Sequence, residues 1–198
     1  MFIKSVVQTS YSGMYKVEPS EGAVFYIRNE YLFSLCVDEL SIEEELSDAL
    51  CNELLDAGLA GAVELKAVEY LARAEQSRFG LSRKLFEKGY SKKYSDMALD
   101  YLEKRGYLSD ERFARAWLNT RRINHYEGRS RLLAELMSRG ISKEVSLVAI
   151  NAFFEENDEE EICRKALEKL TKRGKSGEKL IAAMIQAGFP YKDFKDML

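Results

Sequence analysis

Three segments decide the fold: KLFEKGYSKK (Lys84 to Lys93), ELMSRGISKE (Glu135 to Glu144) and AMIQAGFPYK (Ala183 to Lys192). With Gly89, Gly140 and Gly188 in register, Leu81, Leu132 and Leu180 share one column, and Leu85, Leu136 and Met184 share another. Tyr90, Ile141 and Phe189 follow the glycine, then Ser91, Ser142 and Pro190. Apolar residues four apart lie on one face of a helix. A glycine just past the last turn can take the left-handed conformation that closes it. The apolar residue after it folds back onto that turn. Serine then caps the next helix, and proline suits its first position. Each segment therefore encodes helix, sharp turn, helix.

Working outward, SDERFARAWL (Ser109 to Leu118) lines up with DEEEICRKAL (Asp158 to Leu167), placing Phe113 over Ile162 and Ala114 over Cys163. Each unit then has an opening helix, a middle helix ending in glycine and a closing helix. The expected boundaries are 62–106, 107–155 and 156–198. Units of this length suit an elongated array in which each covers its neighbour's apolar face. The expected faces include Tyr94, Met97, Ala98, Tyr101 and Leu102 in the first unit. In the second they include Leu132, Leu133, Leu136, Val145, Val148, Ala149 and Phe153. In the third they include Ile162, Ala166, Leu167, Leu170, Ile181, Met184 and Ile185. Residues 1–61 read differently and are acidic. FIKSVVQTS, MYKVEP and GAVFYIR, parted by YSG and SEG, predict a small antiparallel sheet. NEYLFSLCV fits either a strand or a short helix. Ser41 and Glu44 predict a capping box opening a helix that ends before Gly58, with the next helix from about Ala62 to Gln76. The fold class expected is mainly α: tandem three-helix repeats in an elongated array, preceded by a small antiparallel β N-terminal region.

Composition narrows the function. The chain has 198 residues, 46% hydrophobic and 32% charged, with two prolines, which suits a helical globular protein. No apolar run approaches the roughly 20 residues that span a bilayer. The start lacks a signal-peptide pattern, so a cytoplasmic protein without a membrane partner is expected. Cys36, Cys51 and Cys163 suggest neither a disulfide framework nor a zinc site. Cys163 reads as a small buried apolar residue. No nucleophile elbow, P-loop or dinucleotide fingerprint occurs, and His125 is the single histidine. The run EENDEEE (Glu155 to Glu161) reads as a helix start, with Asn157 capping and Glu160 reaching back, rather than as a metal site. A non-enzymatic monomer without cofactor or metal is expected.

Charge is unevenly spread. Residues 1–65 hold 3 Lys/Arg and 12 Asp/Glu, whereas residues 66–198 hold 27 and 21. Arg73, Arg78, Arg83 and Lys84 lie around the first bend of unit one, and Lys92 and Lys93 follow its glycine corner. Arg121, Arg122, Arg129 and Arg131 flank the corresponding bend of unit two. Stacked units would place these bends on one side as a basic stripe able to meet phosphates or an acidic protein groove. A solvated surface is the plainer alternative, because cations also suit helix C-termini. Trp117 lies one turn beyond Phe113 and is expected to pack in the core. Tyr107 is expected to pack across the joint between units.

Taken in order, YLARAEQSRFGLSRKLFEKGYS, RGYLSDERFARAWLNTRR and RLLAELMSRGIS resemble the bacterial regulatory RecX family. The matching positions are Arg73, Glu75, Ser77, Arg78 and Leu85, then Gly106, Tyr107, Leu108, Asp110, Phe113 and Ala114. The ending MIQAGFPYKDF matches the third corner through Gly188 and Phe189. The resemblance covers about residues 62–198. Gln76 stands where histidine is frequent, and INHYEG keeps one glycine, Gly128, in a connection often richer in glycine and basic residues. The resemblance implies a modulator of the RecA recombinase. Tandem three-helix units would lie along the groove of the RecA–DNA filament and alter its assembly, ATP hydrolysis and strand exchange in recombinational repair. Single- or double-stranded DNA is a further partner to be expected. The alternative is a direct DNA-binding protein built on helix-turn-helix-like corners; the pI of about 5.5 argues mildly against it.

Overall fold

A computed structural model describes the backbone of residues 1–198 and every side chain except those of Arg122 and Asn124. The chain forms two compact units, Met1–Ala74 with Leu81–Leu108, and Glu75–Gly80 with Ser109–Leu198. Among the described residues it holds eight α-helices and one three-stranded sheet, so it is mainly α with a β N-terminal region.

In the first unit, β1 (Ile3–Gln8), β2 (Tyr15–Pro19) and β3 (Phe25–Ile27) form an antiparallel sheet in sequence order. NEYLFSLCV is neither strand nor α-helix along its length. It contributes a 3-10 turn at Asn29–Tyr31, and a second follows at Val37–Glu39. The helix expected at Ser41 is absent. Ile42 bridges Ile3 and Glu45 bridges Phe2, while the Glu43 amide donates to the Ile3 carbonyl at 2.9 Å. Pairing with the sheet edge satisfies the backbone there and overrides the local capping signal.

The helix begins at Asp48, capped by Ser47, whose Oγ accepts from the Leu50 amide. This helix, α1 (Asp48–Leu71), runs 24 residues without stopping at Gly58. Its glycines serve close approach to the sheet. A Cβ at Gly58 would lie 2.8 Å from the Phe25 ring, and one at Gly61 would lie 2.0 Å from the Tyr26 carbonyl oxygen. Then come α2 (Arg78–Glu87) and α3 (Lys92–Lys104). Ile3, Val17, Ile27, Leu54, Leu81, Leu85 and Leu99 are fully buried in a common core.

The second unit contains α4 (Asp110–Asn124), α5 (Arg129–Ser138), α6 (Lys143–Glu156), α7 (Glu159–Lys172) and α8 (Gly177–Gln186). It closes in two 3-10 turns, Tyr191–Asp193 and Lys195–Met197, where an α-helix was expected. Phe194, fully buried between them, anchors that end. Asp158, not Asn157, caps α7: its Oδ1 accepts from the Glu160 and Glu161 amides. Asn157 instead donates to the Phe153 carbonyl and closes α6. Cys163 is buried, as expected.

The corners recur as the sequence predicts. Gly89, Gly140 and Gly188 have φ of 87°, 81° and 99°. The amides of Tyr90, Ile141 and Phe189 reach back to the carbonyls of Leu85, Leu136 and Met184, each at 3.2 Å. That six-residue closure places the apolar residue after glycine over the last turn. Val148 and Ile185 depart from expectation and are 60% and 53% exposed. On α6 the buried row is Ser146, Ala149, Ile150, Phe153 and Phe154, and Val148 falls off that helical face. Tyr107, expected to be packed, is 61% exposed.

Candidate partner-binding surface

The bend between α4 and α5 shows why its arginines stand where they do. Arg121 grips Glu127 with two nitrogens, Nε at 3.0 Å and Nη2 at 2.8 Å. Arg131 Nε lies 3.9 Å from the same carboxylate, and its Nη2 lies 2.6 Å from Glu135. Arg139 Nη1 meets the other Glu135 oxygen at 2.6 Å. The guanidiniums of Arg121 and Arg139 both lie over the Trp117 ring, at 5.1 and 4.7 Å from its centroid. The result is an alternating chain, Arg121–Glu127–Arg131–Glu135–Arg139, whose ends meet on one indole. The Arg139 hydrogen bond, helped by the charges of Arg131 and Arg139, holds the Glu135 carboxyl below the usual carboxylate range. Trp117 packs partly buried against the core, as expected, and also carries this lattice.

Arg129 stands at the start of α5. It donates to Glu159 at 2.9 Å and to Asn151 at 2.8 Å, and covers the Phe154 ring at 4.5 Å. The Arg122 side chain lies outside the described residues. Gly128 seats this bend against the third corner. Its amide donates to the Ala187 carbonyl, and a Cβ there would lie 2.3 Å from the Gly188 oxygen. Arg78 belongs to this unit, where its amide donates to Asp110 at 2.8 Å. Ser77 accepts from the Gly80 amide and donates to the Arg139 carbonyl. Glu75 pairs with Arg112 at 2.9 Å. The stretch Glu75–Arg78 and Asp110 thus hold the second unit together.

The basic candidates of the first unit are held by near neighbours. Arg73 pairs with Glu69 at 2.6 Å, Arg83 with Glu87 at 3.5 Å, and Lys92 with Asp96 at 2.6 Å. Lys84 lies over the Tyr70 ring. Lys93 ties α3 to α1 through Asp56, which also accepts from the Tyr94 hydroxyl. These hydrogen bonds, that from Lys93 first, hold the Asp56 carboxyl below its ordinary value.

The sequence reading of this surface missed Arg139, Glu127 and Glu135. Their signal was present: Glu127, Arg131, Glu135 and Arg139 alternate at four-residue intervals, the spacing that brings opposite charges together on a helix. It also missed a buried network in the first unit. Arg28 and Glu64 form a two-point ion pair with both contacts at 2.6 Å, and the Tyr31 hydroxyl donates to Glu64 at 2.9 Å. Burial, with the nearby Glu64 charge, pushes the Tyr31 phenol strongly up. The partners stand 36 residues apart, and no local pattern links them.

Residues 109–146, from the cap of α4 to the start of α6, match the family description "RecX, second three-helix domain". The regulatory protein RecX of Treponema pallidum (strain Nichols) is 40% identical over 111 residues, covering 56% of this chain and 68% of the relative. The chain belongs to the RecX family. The RecX protein of Mycobacterium marinum is 30% identical over 152 residues, covering 74% of this chain and 79% of the relative. A crystal structure of regulatory protein RecX has the same fold, with a TM-score of 0.74 at 16% identity over 98% of this chain and 97% of that one. RecX from Lactobacillus salivarius gives 0.60 at 18% identity, over 70% and 94%. The RecX fold shared with these structures includes tandem three-helix repeats. No described helix is long and apolar enough to cross a membrane.

Proposed function

We propose that this chain regulates a RecA-type recombinase by binding its filament on DNA and restraining assembly, ATP hydrolysis and strand exchange. Membership of the RecX family carries the reading. The arginine lattice around Trp117 supports it physically. Glu127 and Glu135 are largely buried while the Arg131 side chain stays 43% exposed, so a partner's carboxylates or phosphates can meet the outer guanidinium edge with the internal pairs left intact. Meanwhile the internal acids hold each guanidinium in place before contact, which reduces the ordering lost on binding. Repeated units would let several weak contacts combine along a polymer. The contacts proposed are Arg121, Arg122, Arg129 and Arg131, with Arg73, Arg78, Arg83, Lys84, Lys92 and Lys93 from the preceding repeat. The proposed repeat boundaries are 62–106, 107–155 and 156–198, with the end of α1 supplying residues 62–71 of the first. A monomer acting in the cytoplasm, without chemistry of its own, suits this role.

The test is ATP hydrolysis by a RecA-type recombinase on single-stranded DNA. Substoichiometric amounts of the protein are expected to lower the rate. An unchanged rate at saturating protein would overturn the proposal. A gel shift with competitor DNA and no recombinase separates it from direct DNA recognition, which would show sequence preference on duplex DNA.

A further inference from the structure

A cavity of about 500 Å³ opens in the first unit, between the β1–β2 turn, the last turns of α1 and the end of α3. Its floor is Arg28, Glu64 and Tyr101, all at most 7% exposed. Val68 and Leu71 supply an apolar wall. Tyr11 and Arg105 stand at the rim, with Tyr11 54% exposed. The volume falls within the range of specific ligand sites, roughly 300–1,000 Å³.

The charges select the occupant. At the floor, Glu64 Oε1 is taken by Arg28, and Oε2 by both Arg28 and Tyr31. Arg28 Nη1 donates to the Ser12 carbonyl at 2.5 Å. The floor is therefore electrically matched, and both oxygens of its carboxylate accept hydrogen bonds. Arg105 supplies the remaining lining charge. Its side chain is 55% exposed and meets Glu30 through Nη2 at 2.8 Å. A guanidinium carries five N–H donors in a fixed fork, so a second carboxylate can be accommodated beside the first. The guanidiniums of Arg28 and Arg105 both lie over the Tyr101 ring, at 4.5 and 5.5 Å, which fixes its orientation.

The site suits an occupant with an apolar body for the wall and a negative charge that shares Arg105 with Glu30 at the rim. A nucleobase would bring several polar edge atoms against the apolar wall of Val68 and Leu71, and each one left unpaired there costs binding energy. A phenyl or branched aliphatic side chain needs no such partner. Tyrosine and arginine are also among the residue types enriched where protein partners are anchored.

We propose that this cavity seats a segment of a partner protein in which a large apolar or aromatic side chain stands beside an aspartate or glutamate. The proposal rests on reading the chain as a regulator that works by binding protein. The test titrates N-acetyl-aspartyl-phenylalanine amide into the isotopically labelled full chain and follows backbone amides by NMR. Shifts are expected at Gly13, Val68 and Leu102. Replacing the probe's aspartate by asparagine, or its phenylalanine by alanine, is expected to weaken binding about tenfold, the worth of one charge-assisted contact or one buried side chain. Arg105→Gln is expected to weaken the aspartyl probe by about the same factor and to leave the asparaginyl probe unaffected. That difference separates contact with the carboxylate from a general disturbance of the fold. Absence of shifts at these amides, or shifts indifferent to both probe changes and to Arg105→Gln, would overturn the proposal. So would stronger binding of 2′-deoxyadenosine monophosphate at the same amides. No recombinase is present in this titration, so its failure leaves the filament reading standing. Conversely, unchanged ATP hydrolysis with a probe-binding protein removes only the filament reading.

Discussion

At the scale of single residues, the corner glycines share a conformation and differ in surroundings. Nothing lies within 4 Å of a Cβ built on Gly89, whereas one on Gly140 would meet the Phe79 Cβ at 2.2 Å. Gly89→Ala is expected to cost about 1–2 kcal/mol, the left-handed penalty alone. Gly140→Ala adds a steric clash and is expected to exceed that by about 1 kcal/mol or more. Urea midpoints of the two variants check the order. Glu64→Gln leaves the Arg28 guanidinium buried without its counter-charge and is expected to cost about 3–5 kcal/mol, read from the same midpoints. The corner glycines were legible because they stand beside a repeated helical pattern. Glu64 was not, because its only mark in the sequence is an acid on an otherwise apolar helix face. What makes it structural is Arg28, brought there by the sheet.

At the scale of elements, α1 shows why two glycines did not end a helix. A helix ends where its carbonyls find other partners, whereas Gly58 and Gly61 keep theirs and present bare backbone to β3 and the Phe25 ring. The sheet that makes this necessary was itself readable from its β-branched residues and turns, but the docking of helix on sheet was not. Ser41 failed for a related reason: a capping pattern competes with any strand edge nearby. In the α4–α5 bend, the four-residue alternation of Glu127, Arg131, Glu135 and Arg139 was legible in principle, while Trp117 as its seat depends on tertiary packing. Because the Glu135 carboxyl is held below its ordinary value, its ionised form is favoured by folding. Its contribution is present above the unfolded pKa, near 4.3, and is lost as pH falls through the lower folded value. Glu135→Gln is expected to lower stability by about 0.5–1 kcal/mol at pH 7. The gap to the parent protein should shrink as pH falls below about 4. Thermal melts of both proteins at pH 7 and across the acid range measure it.

At the scale of the whole molecule, replacing Arg121, Arg122, Arg129 and Arg131 by glutamine is expected to keep helical circular dichroism. It should weaken filament binding and flatten its salt dependence, because fewer counterions are exchanged on contact. Equal affinity and an equal salt slope would place the contact elsewhere. The threefold corner has a further consequence for how the chain matures. A nascent polypeptide that repeats one hinge could dock a helix on the wrong copy while later residues are still being made, a familiar trap in repeat proteins. The hinges are backbone twins, but their sockets differ: open space beside Gly89, the Phe79 side chain against Gly140, and the Gly128–Arg131 backbone against Gly188. Each hinge therefore carries its own address, and a mispaired copy would meet either a void or a collision.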